Sequence, residues 1–411
     1  MTTYIAAGSN LNNRYENLKT AANLLIQKGY EILHASPIYE TPAALLYDTA
    51  RDDWNKPYLN CVFEIRTDKT AFQLLADLKE IERKTGRDFS KRWAPRPVDL
   101  DIIMHNDELI DTPDLQIPHK LYLERNFVLD PLSCFCKIPQ KNLYTDAHQP
   151  LIMGILNVTP DSFSDGNKNN QIEMFTENFR TWQDAHIPLI DIGAESSRPN
   201  ASPLSDEEEI KRLNDVFKFI TSLKKDLFSP KLSIDTYHWK TALTALENGF
   251  DIINDIHGLD DENMLALAKD NKEKICIFMH HDDIKNISPK ETVLKIQHWL
   301  KNKLNVFEQN GLNKQNLIFD PGIGFGKTAC QSLQILQCIK DFHQFGVRIL
   351  IGHSRKSFMN VFCDKKPENK DVETIALSLK IAKNADILRV HTPMEHRAAL
   401  IAAAHTENQF F

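Results

Sequence analysis

The sequence predicts two domains in series: an α+β domain followed by a parallel (β/α)8 barrel. Three observations carry that expectation. The chain has 411 residues, more than a single hydrophobic core usually organises. After residue 150, eight short apolar runs alternate with spacers long enough for a crossover helix each, the pattern of parallel β/α units. Between the halves, residues 137–150 turn polar and carry Pro139 and Pro150, which reads as a linker. The expected division is 1–140 and 150–411.

Composition agrees with a soluble globular chain. Apolar residues make up 42% and charged residues 26%, ordinary values for a chain with a core and a solvated surface. A net charge of −7 argues against a nucleic-acid partner as the main role. The seven cysteines are scattered, and only Cys134 and Cys136 lie close. That reads as reduced thiols in a cytoplasmic protein. No apolar stretch approaches membrane length, and Met1–Gly8 lacks the features of a signal peptide. No membrane partner is expected.

In the first half, Tyr4–Ala7 reads as a strand, Arg14–Lys28 as an amphipathic helix, and Glu31–Tyr39 and Tyr58–Arg66 as strands. Thr70–Thr85 reads as a helix with Phe72, Leu75, Leu78 and Ile81 on its apolar stripe. Val98–Met104 is a third long strand. Its alternation turns Val98, Leu100 and Ile102 to the core and projects Asp99 and Asp101 together on the other face. Two adjacent carboxylates repel unless a cation lies between them. They could be a solvated face of salt bridges. The basic approach loop, with Arg87, Lys91, Arg92 and Arg96, favours instead a Mg²⁺ and phosphate site. His119 follows a proline and could simply cap a turn.

In the second half the eight runs are Leu151–Leu156, Leu189–Ile192, Leu232–Ile234, Phe250–Ile253, Ile275–Met279, Leu317–Phe319, Arg348–Ile351 and Ile387–Val390. Each exits into polar residues: Asn157, Asp191 with Arg198, Asp235, Asn254-Asp255, His280-His281, Asp320, His353 to Lys356, and Arg389 with His391. In a barrel these exits share one mouth. Asp, Asn and Lys suit a polar heterocycle; Arg and His suit a phosphate. Asp320-Pro-Gly-Ile-Gly-Phe-Gly-Lys327 lacks the spacing of a nucleotide P-loop. Its glycines instead allow a tight bend beside Asp320.

The ordered motifs sharpen this reading. Gly8-Ser-Asn-Leu11, Tyr58-Leu-Asn60, Ile81-Glu82 with Gly86-Arg87, Arg92–Ile102 and Ile117-Pro-His119 through Arg125-Asn-Phe127 resemble 6-hydroxymethyl-7,8-dihydropterin pyrophosphokinases over residues 1–136. The resemblance implies a ferredoxin-like α+β fold. It implies Mg²⁺ on Asp99 and Asp101, and ATP along Glu82, Arg87, Arg92, Arg96, His119 and Arg125. Arg87, Arg92, Asp99 and Asp101 would be the catalytic set. The pterin would be read by Thr41, Pro42, Leu45 and Asn60, and stacked by Tyr58 and Phe127. Two departures fall in the lid loops: one residue fewer between Arg87 and Arg92, and Thr41-Pro-Ala-Ala without a second proline.

Ile155–Phe163, Gly193–Pro199, Ser233-Ile-Asp235, Ile253–Ile256, Asp320–Lys327, Ser354–Ser357 and Arg389-Val-His391 resemble dihydropteroate synthases over residues 150–405. This implies pterin binding by Asp235, Asn254, Asp320 and Lys356. Pyrophosphate would fall to Asn157, Arg198, Arg389 and His391, with Mg²⁺ near Asn157. Asn157, Lys356, Arg389 and His391 would be the catalytic set. Pro160, Phe163, Ser197, Phe325, Ser354 and Arg355 would surround p-aminobenzoate, the ligand that sulfonamides mimic. Ser197 stands where that family has threonine. His280-His281 stands where it more often has His-Met, and at least one of the two is expected to be a satisfied core histidine.

Together the resemblances imply a bifunctional transferase of folate biosynthesis. ATP and hydroxymethyldihydropterin would give a pterin pyrophosphate, which p-aminobenzoate then condenses with. The alternative is a methyltransferase-type pterin barrel fused to a non-catalytic module. Arg198, the Ser354–Ser357 run and Arg389-Val-His391 argue against it, as do intact Arg92, Asp99, Asp101 and His119. The resemblance leaves open a homodimer through the barrel.

Overall fold

The computed structural model describes residues 2–43, 54–90, 94–134, 148–158, 168–194 and 204–407. These form two compact units that divide after Gln149; residues 226–228 and 400–411 group with the first. The expected linker lies almost wholly outside the described residues.

The first unit contains β1 (Thr3–Ser9), α1 (Arg14–Gln27), β2 (Glu31–Ala35), β3 (Tyr39–Thr41), β4 (Tyr58–Arg66), α2 (Ala71–Lys84), β5 (Asp99–His105), a small β6–β7 hairpin (Ile110–Asp111, Gln116–Ile117) and α3 (Asn126–Leu132). Its main sheet runs β2-β4-β1-β5, with β3 also on β4, and the β1–β4 and β1–β5 pairs are antiparallel. The single strand expected over Glu31–Tyr39 is two. Pro37 has no N–H for the ladder. Ser36 bridges the break, its backbone N–H reaching the Val62 carbonyl at 2.9 Å and its Oγ accepting from Val62 N–H at 2.9 Å.

Helix α2 starts on a reciprocal cap. Thr70 Oγ1 accepts from Gln73 N–H, and Gln73 Oε1 accepts from Thr70 N–H. That cap sets the helix phase, so Leu74, Leu78 and Ile81 face the core, while Phe72 is 50% exposed. The expected stripe was therefore rotated at its start. On β5 the alternation holds: Val98, Leu100 and Ile102 are buried, and Asp99 and Asp101 are partly exposed.

The second unit is a closed barrel of eight parallel strands, β8 (Leu151–Asn157), β9 (Leu189–Gly193), β10 (Lys231–Asp235), β11 (Ile252–Asp255), β12 (Ile275–Met279), β13 (Leu317–Asp320), β14 (Arg348–Ile351) and β15 (Ile387–Val390). Pairing of β15 with β8 closes the ring. Helices α4 (Lys168–Asp184), α5 (Asp206–Ser222), α6 (Trp239–Glu247), α7 (Glu262–Asp270), α8 (Pro289–Gln309), α9 (Ala329–Gln337), α10 (Asp371–Ile381) and α11 (Pro393–Glu407) follow their strands. Their entries are capped by Ser205, Asp261, Ser288 and Thr328 where the sequence offers such residues. The strands are buried almost throughout, as expected when both faces are covered. Among the described residues, no helix is long and apolar enough to cross a membrane.

Candidate active sites

In the first unit the sheet register assembles the site. Across β3, β4, β1 and β5, Tyr39 pairs with Asn60, Asn60 with Gly8, and Gly8 with Asp99. Gly8 is required by close approach: a Cβ there would lie 2.9 Å from Asn60 Oδ1 and 3.4 Å from the Tyr58 ring. Asn60 donates to Thr41 Oγ1 at 2.8 Å, and Tyr58 pairs in register with Thr41. Three of the expected pterin-contact residues, Thr41, Tyr58 and Asn60, thus share one wall, and Pro42 directly follows Thr41. Phe127 stands on α3, its ring 5.7 Å from the Arg125 guanidinium. Leu45 lies outside the described residues.

The acid pair beside this wall is asymmetric. Asp99 accepts from Arg87 and, at 3.1 Å, from Arg96. Burial raises the Asp99 pKa, but the two guanidiniums outweigh it and the net shift is downward. Asp101 is shifted upward, first by burial and then by Asp99. His119 accepts from Leu121 N–H through Nδ1 at 3.2 Å, which leaves Nε2 as its protonated nitrogen. Burial lowers its pKa. Asn10 locks the approach loop, accepting from Arg96 N–H at 2.8 Å.

Glu82 was expected beside the nucleotide, but it is fully buried. It accepts from Leu100 N–H at 2.8 Å, from Arg87 at 2.5 Å and from Lys79 at 3.0 Å. It anchors Arg87 to β5 from behind. Its place on the inward stripe of α2, one residue after Ile81, was the available signal. Arg92 lies outside the described residues.

At the barrel mouth, Arg389 on β15 donates from Nε to Asp191 at 2.6 Å and from Nη2 to Asp235 at 2.5 Å. Asn254 on β11 donates to both Asp191 oxygens, at 3.3 and 3.1 Å. Burial pushes Asp235 up to about 7; Arg389 opposes that shift and Asp191 adds to it. Burial works against the charge on Arg389, but the two carboxylates hold it firmly protonated. Asp320 on β13 is raised by burial and accepts from Gly322 N–H at 2.7 Å. Lys356, pushed down to about 8 by burial, donates to the Ile323 carbonyl at 2.6 Å. Its ammonium lies 4.4 Å from the Phe325 ring centroid. Gly322, Gly324 and Gly326 all have positive φ. A Cβ on Gly322 would lie 2.1 Å from the His280 carbonyl, so the loop beside Asp320 bends as the glycines suggested.

Three expected residues have partners that sequence reasoning did not supply. Ser354 Oγ and His391 Nδ1 share a hydrogen bond of 2.9 Å. Arg355, at φ 61°, makes a two-pronged pair with Asp371 of α10 at 2.7 and 2.8 Å. Asn157 Oδ1 is buried with no hydrogen-bond partner among the described residues. His280 is fully buried, but neither ring nitrogen is hydrogen-bonded among the described residues. His281 pairs with Asp260 at 2.8 Å. The expectation of a core histidine holds for His280. Pro160, Phe163, Ser197 and Arg198 lie outside the described residues.

Comparison with known proteins agrees with the two-part geometry. Residues 4–137 match the family model of 7,8-dihydro-6-hydroxymethylpterin-pyrophosphokinase, and residues 153–391 match that of pterin binding enzymes. A folate synthesis bifunctional protein of Chlamydia muridarum is 32% identical, covering 98% of this chain and 99% of that one. The folic acid synthesis protein fol1 of Schizosaccharomyces pombe is 34% identical over 95% of this chain, which spans 57% of that longer protein. Among solved structures, the dihydropteroate synthase of Anaplasma phagocytophilum with bound 6-hydroxymethylpterin-monophosphate is similar, with TM-score 0.57 and 34% identity. It covers 63% of this chain and 99% of its own.

Proposed function

Because the chain belongs to the family of bifunctional folate synthesis proteins, we infer that its two units catalyse consecutive transfers on one pterin. The first unit moves a pyrophosphoryl group from ATP to the pterin hydroxymethyl oxygen and releases AMP. The barrel breaks the carbon–oxygen bond to that pyrophosphate and forms a carbon–nitrogen bond to p-aminobenzoate, giving dihydropteroate. The observation that carries this reading is the presence in one chain of two acid-rich sites, where the first product is the second substrate.

Membership of the pyrophosphokinase family implies use of ATP and Mg²⁺. Among the described residues no group of three or more His, Cys, Asp or Glu is arranged to hold a metal. Mg²⁺ needs only one or two carboxylates when phosphates and water complete its shell. Asp99 and Asp101, side by side on β5, fit that requirement and would hold it. When bound, the ion neutralises charge on the transferring phosphates. Arg87 and Arg96 would turn from Asp99 to phosphate oxygens, with Arg92, His119 and Arg125 beside them. Glu82 would keep Arg87 in place. Thr41, Pro42, Leu45 and Asn60 would orient the pterin edge between Tyr58 and Phe127, which brings its hydroxyl to the phosphate.

In the barrel, Asp235, Asn254, Asp320 and Lys356 would hold the pterin. Arg389, His391, Arg198 and Asn157 would take the leaving pyrophosphate; Asn157 Oδ1, with no hydrogen-bond partner among the described residues, also fits a Mg²⁺ ligand. Pro160, Phe163, Ser197 and Phe325 would enclose p-aminobenzoate. Ser354 and Arg355, already committed to His391 and Asp371, would shape that pocket from behind. Domain limits of 1–140 and 150–411, and a homodimer through the barrel, belong to the same proposal. Sedimentation of the full chain tests the dimer.

The deciding experiment supplies ATP, hydroxymethyldihydropterin and p-aminobenzoate together. The expected products are AMP and dihydropteroate in equal amounts, with sulfonamide blocking only dihydropteroate. AMP without dihydropteroate would leave the methyltransferase-type barrel standing. Dihydropteroate only from pre-made pterin pyrophosphate would make the first unit a scaffold.

A further inference from the structure

Arg389 is shared between two carboxylates that differ in accessibility. Asp191 is fully buried, with 0% exposure. It takes the guanidinium through Nε and is held on its other side by Asn254. The Asp235 side chain retains 12% exposure and takes Nη2. The strand order β15-β8-β9-β10-β11 explains how this is built. Arg389 reaches across β8 to Asp191 on β9, and Asp235 and Asn254 follow on the next two strands. Asp191 stands in an apolar strand, between Ile190 and Ile192, both 0% exposed. A carboxylate is rarely buried there without a paired function.

Resting on the reading above, we propose that Asp191 is a positioning residue that serves as the fixed pivot of Arg389. Pterin binding at Asp235 would then release Arg389 to the pyrophosphate. The contact between Arg389 and Asp235 occupies the carboxylate that the pterin's N–H groups need. A pterin that takes Asp235 frees Nη2 while Nε stays on Asp191. The guanidinium then turns about one retained bond, with its outer nitrogens available to an anion. A single arginine therefore links recognition of the heterocycle to readiness for the leaving group. Asn254 keeps the pivot aligned, because the same amide that lies beside the pterin site binds both Asp191 oxygens.

The test uses the full-length protein, given pre-made pterin pyrophosphate and p-aminobenzoate. Asp191→Asn keeps shape and removes the charge that anchors Nε. Loss of a charge-assisted hydrogen bond should lower condensation kcat by roughly ten- to hundred-fold. The KM for p-aminobenzoate, which does not touch Asp191, should stay within about threefold. AMP release by the first unit should be unchanged. Arg389→Gln should impair condensation at least as much, and the double variant should be no worse than Arg389→Gln alone, since residues that act through one another are not additive. Losses that multiply would overturn the pivot. So would a normal Asp191→Asn beside an impaired Arg389→Gln. An Arg389→Gln variant with full condensation would overturn the pyrophosphate reading and the pivot with it.

Folding of the variants need not decide the matter. Calorimetry on the wild-type protein, with the first unit filled by a non-hydrolysable ATP analogue, can compare pyrophosphate binding with and without hydroxymethylpterin. Tightening of at least fivefold is expected from coupled sites. Equal affinities would overturn the proposal.

Discussion

Both units gather two carboxylates beside arginine, but in opposite proportion. In the first, Arg87 and Arg96 converge on Asp99, and Asp101 has neither of them. In the barrel a single Arg389 serves Asp191 and Asp235 together. Two guanidiniums on one carboxylate form a reserve of cations that can turn to a polyphosphate, and the neighbouring acid invites a metal. One guanidinium shared by two carboxylates only partly offsets the burial that raises Asp235 to about 7, and such an acid would suit a neutral ring that donates hydrogen bonds. On the proposed reading, the same residue types would thus prepare one site for phosphoryl transfer and the other for recognition.

The contrast predicts separable failures. Asp101→Asn keeps the shape of the first site but removes a proposed ligand of the ion. AMP formation should fall by several kcal/mol in barrier, on the order of thousand-fold. Condensation from pre-made pterin pyrophosphate should stay near the wild-type rate. Loss of both activities in a folded protein would break the division of labour. Lys356→Ala is the counterpart in the barrel. It removes a half-buried lysine ammonium, and condensation should drop by roughly ten- to hundred-fold while AMP release persists. Normal condensation kinetics would remove Lys356 from the site.

Two substitutions sharpen the comparison at the level of stability. A Cβ on Gly154 of β8 would lie 2.6 Å from the Trp182 ring and 3.1 Å from Pro393. Gly154→Ala should therefore cost the barrel about 1–3 kcal/mol by overpacking. Chemical unfolding should show the loss in the barrel transition, and an unchanged midpoint would mean that Trp182 moves freely. His280 has a defined pH sign. Burial lowers its pKa from 6.5 to about 3. The unfolded chain binds the proton more readily between those values, so stability is full above 6.5 and falls as pH drops through the window. The slope should reach up to about 1.4 kcal/mol per pH unit. His280→Met should flatten acid unfolding followed by tryptophan fluorescence; superimposable curves for the two proteins would exclude the role.

Much of this was legible because parallel strands covered on both faces are written as unbroken apolar runs. The barrel strands at Ile275–Met279, Arg348–Ile351 and Ile387–Val390 have the limits that the apolar runs led us to expect. At Phe250 hydrophobicity misled: the strand starts at Ile252, and Phe250 packs before it. Short elements were the harder part. Helix α3 carries Pro131, and β6 and β7 have two residues each, too few for a periodic signal. The acid pair of β5 was legible because alternation alone sets the side of each residue. Asp191 as support for Arg389 was not, nor was the Arg355–Asp371 pair. The first joins strands whose proximity only the closed ring creates, and the second joins the two ends of the irregular connection between β14 and α10.

The Arg389–Asp191 bond spans 198 residues of sequence. A chain synthesised from its N-terminus presents β9 long before β15 exists. Until the last strand docks, the acid of β9 lacks its cation and the ring has a gap between β14 and β8. Such long-range closure is slow compared with local folding. The pterin-reading mouth is therefore completed as the final event of barrel assembly, and a nascent chain stopped short of β15 has no finished mouth to offer a ligand.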